Sequence, residues 1–195
     1  LKRLIHYIQV IREHYRTSPQ SLEDQLYEGL IERGDVVYDI GANYGSVALY
    51  MAHVTGPTGR VYAFEPIPST YQKLCRNLRY DFRLNKAKII PLQLGVSDVN
   101  QMAVFNLPGE ANQSASLAGA EEWQQALGMG AQTHTFECRC VTLDSLISGE
   151  AAPPNMIKID VEGAELLALR GADKLLKSPK PPLMLIEVFA PWERA

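Results

Sequence analysis

The residues of this chain with chemical potential stand at the ends of short apolar runs. Val36-Val37-Tyr38-Asp39-Ile40 leads into Gly41-Ala42-Asn43-Tyr44-Gly45, and Arg60-Val61-Tyr62-Ala63-Phe64 ends in Glu65. Glycine at a strand-to-helix turn lets backbone approach a ligand with no Cβ in the way. An acid at the tip of the next strand can take both hydroxyls of a ribose. A dinucleotide fingerprint needs G-x-G-x-x-G, whose second glycine opens room for the pyrophosphate. Here Asn43 stands at the second glycine position and Ser46 at the third. The G-x-x-x-G loop, with Asp39 two residues ahead of it, suits a phosphate-free cofactor whose methionine end carries an amine. That cofactor is S-adenosylmethionine. Two glycines alone would signify no more than a tight turn; Glu65 at the right distance favours the cofactor.

A second cluster lies further along. Ligands of open parallel sheets bind outside the carboxyl ends of the strands. Asp160 ends one apolar run, Glu187 stands in another, and Glu162 follows Asp160 at the opening of a helix. Lys158 lies two residues before Asp160, so both side chains leave the same face of a strand. A lysine in a buried strand is costly unless paired, and Asp160 or Glu187 could pair with it. Such a pair is either purely structural or orients a substrate hydroxyl. Two carboxylates on adjacent strand tips could also hold a divalent ion, but no third ligand is evident and no metal is expected. Glu165 reads as a partner of its helix dipole. No histidine stands at a strand tip, and His134 reads as a surface residue.

The elements that position these residues alternate. Helices are predicted over about 21–33, 45–54, 69–84 and 163–176, and core strands over about 36–40, 60–64, 88–94, 156–160 and 183–188. The second of these helices follows the glycine loop, and Phe82 and Leu166 are assigned to buried faces. Such alternation gives an α/β, doubly wound, mostly parallel sheet with helices on both faces. Residues 101–107 and 133–141 read as an inserted antiparallel strand pair. The stretch between them is a loop that either lids the site or is simply solvated, with a short helix near 121–127. The opening twelve residues form a basic amphipathic helix, of the kind that can touch a membrane but more often packs on its own domain. Residues 1–34 are therefore expected to pack on a core spanning 35–195, as one domain.

The chain of 195 residues can bury a real core. Its net charge of −3 gives no electrostatic reason to expect nucleic acid. No apolar run approaches the roughly 18 to 20 residues that cross a bilayer. Cys75, Cys138 and Cys140 lack metal-ligand spacing, and reduced thiols in the cytoplasm are the simplest reading. The first residue is Leu1 and not methionine, so the absence of a signal peptide carries little weight.

Several blocks together resemble a known family. They are Asp39 to Gly45, Phe64-Glu65-Pro66, Gly95-Val96-Ser97-Asp98, Thr142-Leu143-Asp144-Ser145-Leu146 and Ile157-Lys158-Ile159-Asp160-Val161-Glu162-Gly163-Ala164-Glu165. They look like the FkbM methyltransferases, over about residues 22–188. The resemblance implies a class I S-adenosylmethionine-dependent fold that methylates hydroxyls of sugars, polyketides or similar small metabolites. It places Asp39, Gly41, Asn43 and Gly45 at the methionine end, Glu65 at the ribose, and Ser97 and Asp98 beside the adenine. Asp160, Glu162 and Glu187 would face the acceptor, with Asp160, or Lys158 through its neighbours, helping to remove its proton. It also implies a sixth and a seventh strand, for which the sequence holds no segment. Two other readings stay open: a truncated cofactor-binding module without catalysis, and an NAD-dependent dehydrogenase, which Asn43 disfavours.

Overall fold

The computed structural model describes residues 21–82, 85–108, 116–117, 133–149, 151–161 and 163–188. The first half runs α1 (Leu22–Leu30), β1 (Val36–Ile40), α2 (Ser46–Thr55), β2 (Arg60–Phe64), α3 (Pro68–Arg79) and β3 (Lys88–Leu92). Four short or inserted strands follow, β4 (Gly95–Val96), β5 (Gln101–Pro108), β6 (Ser116–Leu117) and β7 (Thr133–Val141). The chain then continues through α4 (Leu143–Ile147), β8 (Met156–Ile159), α5 (Glu165–Arg170), α6 (Asp173–Leu176) and β9 (Leu183–Ile186).

The main sheet has the order β3-β2-β1-β8-β9, every pair parallel. Parallel strands are covered on both faces, which is why these strands read as almost unbroken apolar runs. Val37, Val61, Ala63 and Met156 pack with Tyr27 of α1, Ala48, Met51 and Ala52 of α2, and Leu74 of α3. Tyr38, Ile40, Tyr62, Phe64, Ile157 and Ile159 fill the other face with Leu143, Leu146, Ala168 and Leu175. The strand order reverses between β1 and β8, and a crevice at that switch point is where such sheets bind ligands.

The expected antiparallel pair is present as β5 and β7, in register from Gln101 opposite Cys140 to Pro108 opposite Thr133. It belongs to a separate four-stranded sheet of order β4-β7-β5-β6, in which β4 runs parallel to β7. A Cβ on Gly95 would lie 2.7 Å from the Cys140 Sγ, so glycine is what lets β4 close on β7. A two-residue strand leaves no periodic signal, and the sequence reading missed it. Cys138 and Cys140 are free, buried thiols.

Three helices depart from expectation, and the strands predicted to end at 94 and 188 end at Leu92 and Ile186. Helix α1 starts as predicted, with Ser21 and Asp24 forming a reciprocal capping box, but stops at Leu30. Helix α3 ends at Arg79, several residues early; Asn85 has a left-handed φ of 61°, Lys86 pairs with Asp81, and Phe82 is 75% exposed. The single helix predicted over 163–176 is two, broken at Gly171-Ala172. A Cβ on Gly171 would fall 2.0 Å from the Ser97 carbonyl oxygen. The Asp144 carboxylate, reaching across from α4, accepts from the Lys174 and Leu175 N–H groups, each at 2.9 Å, and so caps α6. Leu166, placed on the buried side by a continuous helix, is exposed in the first turn of α5.

The expected N-terminal helix, the short helix near 121–127, most of the candidate lid and Glu162 lie outside the described residues. Among the described residues no helix is long and apolar enough to cross a membrane.

Candidate cofactor and acceptor site

The glycine loop is tied to the tip of β2 before any ligand is considered. Gly41 and Ala42 both donate to the Phe64 carbonyl, at 3.0 and 2.8 Å. The Asn43 N–H donates to Glu65 Oε2 at 2.9 Å. Helix α3 holds the loop from outside, with Asn77 Nδ2 donating to the Tyr44 carbonyl at 2.8 Å and Lys73 Nζ lying 4.7 Å from the Tyr44 ring centre. Gly41 and Gly45 have φ of 85° and 87°, where L side chains are strained. A Cβ on Gly41 would lie 1.8 Å from the Asp160 carbonyl oxygen, and one on Gly45 2.4 Å from Leu74 Cδ1. Both glycines therefore answer to the protein's own packing: Gly41 lets the end of β1 meet the end of β8.

Strand register then assembles the acids. Asp39 pairs with Lys158 across β1 and β8, on the sheet face covered by α1 and α2. Lys158 Nζ is 2.8 Å from Asp160 Oδ2 and 4.0 Å from Asp39 Oδ1. The Asp39 side chain is fully buried, that of Lys158 is 6% exposed and that of Asp160 33%, so Asp160 is the member open to solvent. Burial disfavours the Lys158 ammonium, but Asp39 and Asp160 more than reverse this and hold its pKa above the ordinary value. Burial pushes Asp39 up to about 6, against the pull of Lys158. Among the described residues neither Asp39 oxygen completes a hydrogen bond, although the Ala48 N–H in α2 favours its charge. Buried polar groups are nearly always satisfied. A buried carboxylate left open at the switch point fits a ligand that brings its own cation.

Glu65 completes the first half of the site. It is 4% exposed, its Oε1 accepts from the Ile67 N–H and its Oε2 from the Asn43 N–H, both at 2.9 Å. Two amides thus fix the carboxylate plane while each oxygen keeps a second lone pair. Burial raises Glu65 to about 7, against the pull of these two donors. The folded state consequently holds protons on Glu65 and Asp39 more tightly than the unfolded chain. Stability must then fall as pH rises from the carboxylates' ordinary range towards about 7. Melting curves from about pH 5 to about pH 7 should show a declining Tm in the wild type and a shallower decline in Glu65→Gln. Parallel slopes would remove Glu65 from this account.

The remaining expected residues lie further apart. Glu187 stands just past β9, exposed, with its N–H bonded to the Ile159 carbonyl at 2.9 Å, which sets it beside Asp160. Ser97 and Asp98 follow β4 in the second sheet. Ser97 is buried against Gly171, its hydroxyl 3.2 Å from Asp98 Oδ1, and Asp98 is half-buried. Among the described residues no three His, Cys, Asp or Glu side chains converge as a metal site. The structure adds two groups that the sequence reading passed over. Tyr27 is 1% exposed in α1, its hydroxyl donates to Glu23, and burial, with that carboxylate beside it, raises its pKa. Their four-residue spacing on one helix face was the only available signal.

A doubly wound sheet with a glycine turn after its first strand, an acid at the tip of its second and an ion pair across its switch point defines a Rossmann-like nucleoside-cofactor domain. The same fold is found in a methyltransferase-like protein of Silicibacter pomeroyi, at a TM-score of 0.53 and 12% identity over 90% of this chain and 74% of that one. The family is set by sequence. The Methyltransferase FkbM domain model matches residues 39–195, and the chain belongs to the FkbM methyltransferases, with S-adenosylmethionine as cofactor. It is 28% identical over 187 residues to the hexuronic acid methyltransferase AglP of Haloferax volcanii, covering 94% of this chain and 69% of that protein. It is 30% identical over 158 residues to the 31-O-demethyl-FK506 methyltransferase FkbM of Streptomyces tacrolimicus, covering 72% of this chain and 60% of that protein.

Proposed function

We propose that the chain is an S-adenosylmethionine-dependent O-methyltransferase whose acceptor is a hydroxyl of a sugar, polyketide or similar small metabolite. The observation that carries the reading is the Asp39–Lys158–Asp160 row, in which one carboxylate is buried and unsatisfied and the other is paired and open to solvent. The name of one relative, 31-O-demethyl-FK506 methyltransferase, supports an oxygen acceptor, and that of the other, hexuronic acid methyltransferase, supports a sugar acid, which carries both hydroxyls and a carboxylate.

The cofactor, when bound, supplies an electrophilic methyl group. Asp39 offers both unsatisfied oxygens to the amine of the methionine end, and the backbone of the Gly41–Gly45 loop borders it. Glu65 keeps a free lone pair on each oxygen for the ribose hydroxyls. Asp160, the exposed member of the row, faces the acceptor, orients its hydroxyl and takes its proton. Lys158 is a positioning residue: its ammonium holds Asp160 at 2.8 Å and offsets the charge of Asp39. Glu187, beside Asp160, borders the acceptor side; Glu162, expected there from the family resemblance, lies outside the described residues. Much of the rate comes from holding two reactants in line.

The test separates binding from turnover. Asp160→Asn should lower turnover about 100-fold, the scale of a lost general base, while changing cofactor Kd less than about threefold. Turnover is read as S-adenosylhomocysteine released with a panel of glycosides, glycuronides and macrolides. Unchanged turnover in Asp160→Asn would remove the base from the mechanism. Wild-type cofactor binding with no release across the panel would favour the non-catalytic module.

A further inference from the structure

The strand order of the main sheet sets the direction in which the cofactor lies. Asp39 and the glycine loop stand at the end of β1, Glu65 stands at the end of β2, and β3 is the next strand outward. A molecule with its methionine end at β1 and its ribose at β2 carries its adenine over the end of β3. That end is tied to Glu65, whose N–H donates to the Leu92 carbonyl at 3.1 Å.

Ser97 and Asp98, expected beside the adenine from the family resemblance, are led away from this point. After Leu92 the chain turns onto the face of the main sheet, where Leu94 and Val96 pack with Phe64 and Leu143. The Ser97 carbonyl then meets Gly171, past the last turn of α5. The group that does stand at the end of β3 is the inserted sheet. β7 runs parallel to β4, with Gly95 opposite Cys140. Two residues earlier in β7, Cys138 Sγ lies 3.8 Å from the carbonyl oxygen of Gln93, the residue after Leu92. Because β4 leads away from the strand ends, tracing β7 back from Cys138 leads past them. Side chains alternate along a strand, so Phe136 shares the Cys138 face, about 7 Å further on. Phe105, opposite Phe136 in the ladder and 6% exposed, stacks on it with ring centres 5.3 Å apart and planes within 9° of parallel. Phe136 itself is half-buried.

We propose that Phe136, backed by Phe105 and set past the end of β3 by the Cys138–Gln93 contact, is the platform on which the adenine of the cofactor stacks. A buried ring holds one face of Phe136 and leaves the other to a planar base, which needs only its π-face for such a contact. The inserted sheet then serves the cofactor end of the crevice. Asp160 and Glu187, the acids assigned to the acceptor, follow β8 and β9 on the other side of β1. The inference rests on the cofactor reading given above.

Two ligands separate the ends of the site: S-adenosylmethionine, and methylthioadenosine, which keeps the nucleoside and lacks the amino-acid end. Calorimetric titrations with both compare wild type, Phe136→Ala, Phe136→Leu and Asp39→Asn. Phe136→Ala should weaken both ligands by the same factor, about tenfold, the scale of one base on one ring. Phe136→Leu keeps apolar bulk without a π-face, and should restore the melting temperature of the alanine variant more than its affinity. Asp39→Asn should weaken S-adenosylmethionine far more than methylthioadenosine. In Phe136→Trp, methylthioadenosine should quench tryptophan emission beyond any change in wild type. Wild-type affinity for methylthioadenosine in both Phe136→Ala and Phe136→Leu would overturn the proposal, as would a loss confined to S-adenosylmethionine. A tenfold loss of both ligands in Asp98→Ala, with Phe136→Leu unchanged, would return the adenine to the position implied by the resemblance. Wild type that binds neither ligand would refute the cofactor site itself.

Discussion

Gly41→Ala is expected to abolish the native junction between β1 and β8. Its Cβ would lie 1.8 Å from the Asp160 carbonyl oxygen and 2.8 Å from the carbonyl carbon. The obstacle is backbone held by the sheet: Asp160 N–H donates to the Ile40 carbonyl at 3.0 Å, so β8 cannot step aside without losing that bond. The left-handed φ of 85° adds strain of its own. Together these effects should cost about 4 kcal/mol or more, a large part of a typical domain's stability. Gly29→Ala is the opposite case, since nothing lies within 4 Å of its added Cβ and the residue sits inside α1. It should stabilise by about 0.5 to 1 kcal/mol through helix propensity alone. Urea unfolding of both variants checks the pair. A Gly41→Ala protein as stable as wild type would contradict the packing at the switch point.

Glu65→Ala should have the largest effect on ligand binding. The side chain is the shared acceptor for the Asn43 and Ile67 amides, so it shapes the glycine loop as well as offering lone pairs to a ribose. Hydrogen bonds to a charged group are worth about 1.5 to 3 kcal/mol each, and losing two ribose contacts predicts at least a 100-fold rise in cofactor Kd. Alanine also leaves two amides without a partner, at about 1 to 3 kcal/mol apiece. Removal of a carboxylate that burial disfavours offsets part of that cost. Glu65→Gln, which retains an acceptor oxygen, should recover stability more than affinity. Calorimetry on both variants separates the two roles.

The main sheet was legible because parallel strands buried on both faces leave unbroken apolar runs, and the acids at their tips interrupt those runs visibly. Lys158 and Asp160 could be placed together from residue parity along one strand, with Asp160 or Glu187 as the expected partner; the approach of Asp39 to Lys158 depends on the register of β1 against β8 and was not read from the sequence. The reason for Gly41 could not be read in the same way. Its neighbour is the Asp160 carbonyl, more than a hundred residues away, so a glycine required by packing looked like one required by a ligand. The break at Gly171 was hidden for the same reason, since it depends on Ser97 and on the Asp144 carboxylate. β4 was too short to show a period, and Phe82 looked buried only while α3 was extended past Arg79. Tyr27 and Glu23 showed the spacing of an ordinary helix face, and only the fold reveals what lies beneath them.

The most direct test is a calorimetric titration of the purified chain with S-adenosylmethionine, with NAD as the control ligand. The site described above predicts one-to-one binding of S-adenosylmethionine with a Kd on the order of micromolar, equivalent to about 8 kcal/mol, and no heat from NAD. Binding of NAD, or no binding of S-adenosylmethionine to a chain that melts cooperatively, would contradict it.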